Sequence, residues 1–113
     1  MNKIKTKIQI FHDSSPTFGP GKAELLRAIS KNGSISAAAK SINMSYKRAW
    51  DLVNAMNLGF KENLVVTKIG GSHGGGTEVT EFGHQVLMMY NEAIKNSDAY
   101  IDAQMSDLIK LLK

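Results

Sequence analysis

Four consecutive residues, Ser45-Tyr46-Lys47-Arg48, open a segment in which Ala49, Val53 and Met56 recur at i, i+4 and i+7. That spacing predicts a helix with one apolar stripe, capped by Ser45 and running to about Leu58. With the stripe turned inward, Tyr46, Lys47, Arg48, Asp51 and Asn54 point outward. Two adjacent cations at a helix start serve no packing purpose, but they suit nucleic-acid chemistry. Arg or Lys can donate to guanine O6 and N7, Asn can bond adenine through two hydrogen bonds, and Ser45 and Tyr46 can reach phosphate oxygens. The unpaired N–H groups of the first turn favour an anion as well. Trp50, beside the stripe, reads as core or semi-core rather than as a base-stacking group.

The elements upstream would place this head. Leu25, Leu26 and Ile29 lie at helical spacing within Lys22–Lys31, and Asn32-Gly33 supplies a stop. A second, short helix follows, with Ser36 as its expected cap and Ala37, Ala38, Ala39 and Ile42 behind it. Small side chains there allow a close helix crossing, and a turn at Asn43-Met44 leads into the Ser45 helix. Two helices joined in this way describe a helix-turn-helix, whose second helix enters the major groove. At the N-terminus, residues 3–11 alternate Lys3, Lys5, Lys7 and Gln9 with Ile4, Thr6, Ile8 and Ile10, the pattern of a half-buried strand. His12–Gly21 holds both prolines and reads as a loop.

Downstream, the β-branched run Asn63–Ile69 and the segment Thr77–Thr80 flank a glycine-dense tip, residues 70–76. Strand, tip and strand predict a hairpin. After a recognition helix such a hairpin is a wing, and its glycines permit close approach of backbone N–H groups to phosphate. The spacing GxxxxGK[ST] of a nucleotide-binding loop is absent both here and at Gly19-Pro20-Gly21-Lys22-Ala23. From Thr80, a third cap, a helix without proline extends toward the C-terminus. Leu87, Ile94, Ile101 and Leu108 recur every seven residues, with Tyr90, Ser97, Gln104 and Leu111 as their companions. A stripe this long exceeds what a small domain can cover, so a second copy is expected to pack on it.

Charge agrees with this division. Residues 1–80 carry 11 Lys and Arg against 5 Asp and Glu, whereas residues 81–113 carry 3 against 5. The positive part is the part that holds the reading head, and such a surface attracts polyanions. Catalysis finds no support: His12, His73 and His84 are dispersed, no acidic cluster or His-x-x-x-His offers metal ligands, and there is no cysteine. With no secretory pattern and no apolar run of membrane-spanning length, a soluble cytoplasmic protein is expected.

The runs GPGKAELLRAISKNGSISAAAKSINMSYKRAWDLVNAMN and LVVTKIGGSHGGGTEVTEFG together resemble the N-terminal DNA-binding domain of the ModE family, molybdate-responsive bacterial regulators within the wider LysR-type winged-helix group. The resemblance covers roughly residues 19–90. It implies an α+β winged helix-turn-helix over residues 1–80, a three-helix core with a two-stranded wing and an N-terminal strand, and a long dimerisation helix over 81–113. It also implies a transcriptional regulator that binds double-stranded DNA as a homodimer, without enzymatic activity, metal or cofactor. The DNA-contacting set is Ser36, Ser45, Tyr46, Lys47, Arg48 and Asn54, with Lys68, Ser72, His73 and Thr77 around the wing. The dimer set is Leu87, Tyr90, Ile94, Ile101 and Leu108. The family's oxyanion-binding domains follow this region, and the chain of 113 residues has no length for them. A free-standing short form is therefore expected, and molybdate or tungstate binding is not. A protein-interaction winged helix and an oxyanion-responsive accessory module remain as alternatives.

Overall fold

The computed structural model describes residues 4–68 and 76–113. In chain order the elements are strands β1 (Ile10–His12) and β2 (Ser15–Phe18), helices α1 (Pro20–Asn32), α2 (Ile35–Ser41) and α3 (Tyr46–Gly59), strands β3 (Val65–Lys68) and β4 (Gly76–Val79), and the long helix α4 (Glu81–Ile109). Among the described residues the architecture is α+β, with two separate two-stranded antiparallel sheets, β1–β2 and β3–β4.

The helices begin and end where local chemistry dictates. Pro20 occupies the first turn of α1, where its fixed φ and missing N–H are harmless. The helix therefore starts two residues before the expected Lys22. It ends at Gly33, whose φ of 75° places it in the left-handed region, with its N–H bonded to the Ile29 carbonyl at 2.9 Å. That stop leaves Ser34 immediately outside the next helix, and Ser34, not Ser36, caps α2 by accepting from the Ala37 N–H at 3.0 Å. The α2–α3 turn is closed by the Met44 N–H donating to the Ala39 carbonyl at 2.8 Å, with Asn43 at a φ of 55°. Ser45 and Thr80 cap α3 and α4 as expected, accepting from Arg48 and Gly83 N–H groups at 3.1 and 2.9 Å. Each such cap contributes about 1 kcal/mol.

The core gathers Phe18, Leu25, Leu26, Ile29, Met56 and Leu64, all fully buried, with Ala38, Ala39 and Ala49 at the crossings of α2 and α3. Phe18 anchors an aromatic cluster, edge-on to Phe60 at 5.8 Å and to Tyr90 at 5.0 Å. Leu87 and Tyr90, expected on a dimer face, lie instead in this core, because the first turns of α4 lie along α1 and β4. Tyr90 Oη also donates to the Ile8 carbonyl at 2.7 Å, and burial raises its pKa against a partial opposing effect of Arg27.

Residues 4–8 alternate half-buried and exposed as expected, but they belong to no strand and have no ladder partner among the described residues, and Ile10 is exposed. Pairing begins only at β1, whose partner β2 lies within the stretch expected to be a loop. Pro16 is tolerated there because a two-stranded sheet is all edge.

Candidate nucleic-acid interface

The head of α3 has the geometry its sequence implies. Ala49, Val53 and Met56 are buried, while Tyr46, Lys47, Arg48, Asp51 and Asn54 are all exposed on the helix they share. Ser45 is committed to the cap through Oγ, so its side chain holds the helix start while the remaining first-turn N–H groups face outward. Tyr46 packs edge-on to the half-buried Trp50 with ring centroids 6.2 Å apart, which limits where its hydroxyl can reach. Trp50 itself packs against the core. Lys47 Nζ pairs with Asp51 one turn on at 3.1 Å, both side chains being largely exposed. An exposed pair of this type contributes little energy and is readily exchanged for a phosphate or base partner. Arg48 has no ion-pair partner among the described residues.

Ser36, although not a cap, shares one groove with Lys40, Asn43, Met44, Ser45 and Tyr46, so α2 and the start of α3 form one continuous surface. Arg48 lines a second depression with Gln9, Gly21 and Lys22. Lys22 donates to the Pro16 carbonyl at 2.9 Å, and partial burial lowers its pKa. Neither Lys22 nor Lys40 belongs to the DNA-contacting set expected from the sequence. Their signal is available there only weakly, Lys22 as a cation in the first turn of α1 and Lys40 as the residue one turn beyond Ser36.

The β3–β4 hairpin pairs Val65 with Val79 and Lys68 with Gly76. Lys68 forms an ion pair with Glu78 across the strands, so its charge is partly compensated before any ligand arrives. Thr77 bonds through its N–H to the Gly33 carbonyl at 2.9 Å, fastening β4 to the α1–α2 junction. Ser72 and His73, expected at the hairpin tip, lie outside the described residues. On α4, half-buried Ile94 still packs against the core that covers Leu87 and Tyr90, whereas Ile101 farther along is half-buried and Leu108 is exposed.

No protein-family model matches the chain. Individual proteins do. The chain is 46% identical over 88 residues to the molybdenum transport protein ModE of Azotobacter vinelandii, an alignment covering 78% of this chain and 33% of that protein. It is 40% identical over 88 residues to the DNA-binding transcriptional dual regulator ModE of Escherichia coli K12, covering 78% and 31%. The molybdenum-pterin-binding protein MopA of Rhodobacter capsulatus is 40% identical over 73 residues, covering 65% and 28%. The chain thus spans about a third of the length of the curated relatives it matches. Among the described residues, no helix is long and apolar enough to cross a membrane.

Proposed function

We propose that this chain, ModE-like over 78% of its length, is a winged helix-turn-helix module that binds double-stranded DNA in transcriptional regulation. The observation that carries the reading is the head of α3. A side-chain cap fixes the first turn, three apolar residues anchor the helix from below, and Tyr46, Lys47, Arg48, Asp51 and Asn54 are left exposed together. Such a helix has the dimensions of a major-groove reader, with Arg48 as the guanine donor, Asn54 as an adenine partner and Lys47 exchanging Asp51 for phosphate or base. Ser36 and Lys40 on α2, and Lys68 and Thr77 on the hairpin that serves as wing, are the candidates for backbone contacts.

In this reading the protein acts as a homodimer. The apolar stripe that buries Leu87 and Tyr90 continues along α4 as Ile94, Ile101, Met105 and Leu108, and a second copy is the partner proposed to cover its distal part. Two copies related by a two-fold axis would present two α3 heads to half-sites about one helical turn, roughly 34 Å, apart.

Salt dependence of duplex affinity tests the proposal against a protein-docking role. The expected result is an affinity that falls log-linearly with salt, with a slope of about 0.9 per phosphate neutralised. No duplex binding at low salt would favour a protein partner. The similarity to MopA supports a second measurement, the melting temperature with and without molybdate. A rise that saturates with molybdate would assign anion binding to this chain.

A further inference from the structure

Asn57 lies in the last turns of α3, roughly 16 Å along the helix axis from Tyr46, too far to share a base with the reading head. Both polar atoms of its side chain are nonetheless engaged. Oδ1 accepts from the N–H groups of Leu64 and Val65 at 2.8 and 3.2 Å, and Nδ2 donates to the Val65 carbonyl at 2.9 Å. Leu64 and Val65 are 0% and 2% exposed, so water cannot readily replace these bonds. The same root of β3 is gripped from the other side by Thr80, which donates its N–H to the Leu64 carbonyl at 2.9 Å and its hydroxyl to the Asn63 carbonyl at 2.7 Å. The hairpin therefore leaves the body from a point fixed between the end of α3 and the start of α4.

We propose that Asn57 is a positioning residue for DNA binding, setting the angle between the β3–β4 hairpin and the head of α3 so that both engage one duplex. The inference rests on the DNA-binding reading above. The side-chain chemistry is specific. A carboxamide places an acceptor and a donor side by side; an ionised aspartate would satisfy both N–H groups but set a carboxylate oxygen against the Val65 carbonyl, and leucine would leave all three groups unpaired. Without the clamp the hairpin keeps its own ladder and its bonds through Thr77 and Thr80 but loses its tie to α3, so its angle to the head of α3 loosens and its phosphate contacts weaken while the head of α3 still engages the groove.

The test compares wild type, Asn57→Asp, Asn57→Leu, Lys68→Ala and both Asn57/Lys68 double variants on a mixed-sequence DNA duplex across a salt series, at a temperature where circular dichroism shows the variants compared to be folded. If Asn57→Leu does not fold, the milder Asn57→Asp carries the comparison. The expected result is a lower affinity with a salt slope reduced by about 1 for each phosphate the hairpin ceases to neutralise. Lys68→Ala should weaken the wild type, yet cost little further in either Asn57 background, a coupling of about tenfold. The inference is overturned if the Asn57 variants keep the wild-type affinity and slope, or if Lys68→Ala changes affinity by the same factor in every background. A wild type that binds no duplex would overturn the DNA reading and this inference with it, an outcome distinct from additivity in a protein that does bind.

Discussion

The two halves of α4 carry one residue pattern and meet opposite environments. In the first half, Gly83, Leu87 and Tyr90 press into the core. In the second, the same stripe runs on through Ile101 to Leu108, which is 54% exposed, and Leu111 beside it is 85% exposed. Heptad spacing specifies which side chains share a face of a helix; it carries no information about what covers that face. The 29-residue helix, about 44 Å long, accounts for much of the elongation of a molecule whose principal extents are 59, 31 and 23 Å. Burial thus divides the stripe into an intramolecular part and a part available to a partner.

Substitutions can break this contrast, and the largest effect is expected at its buried end. Leu87→Ala should destabilise the fold by about 2–5 kcal/mol in chemical denaturation, because it opens a cavity the core cannot refill. Gly83→Ala should cost about 1–3 kcal/mol, since the added Cβ would collide with the Leu64 carbonyl, a backbone group that cannot swing aside. Tyr90→Phe keeps the ring in its aromatic cluster and removes only the bond to Ile8, so a loss of about 1 kcal/mol is expected. Because the folded-state pKa of Tyr90 is raised, its contribution is present at neutral pH and is lost as pH climbs through that value; the phenylalanine variant should lack this alkaline component in a pH series of melting curves. At the exposed end, Leu108→Ala should change unimolecular stability by less than about 0.5 kcal/mol. Its effect should appear instead in sedimentation, as weaker self-association.

What the sequence discloses follows the range of the interactions involved. Ser45 and Thr80 are legible as caps because a cap is settled within three residues. Ser34 is passed over in favour of Ser36 because the choice between them depends on where α1 stops, and the left-handed Gly33 places that stop one residue before Ser34. Strand β2 is hidden by Pro16 and its flanking serines, which advertise a turn but are compatible with an edge strand. The alternation of residues 4–8 reports their two faces correctly and their lack of a ladder partner not at all. At the candidate site, the exposed set on α3 can be read from helical period alone. Lys22 cannot, since its nearness to Arg48 arises from the packing of separate elements. Nor can the Asn57 clamp, whose partners lie seven and eight residues away across a loop. An asparagine near a helix end reads as surface until the chain returns to it.

The central claim is that the exposed head of α3 reads base edges, and binding-site selection addresses it most directly. Purified protein and a Lys47→Ala, Arg48→Ala variant would each be challenged with a random double-stranded library at physiological salt. The account predicts a palindromic motif enriched by the wild type and lost in the variant. Enrichment of the same motif by both proteins, or of no motif by either, would contradict it.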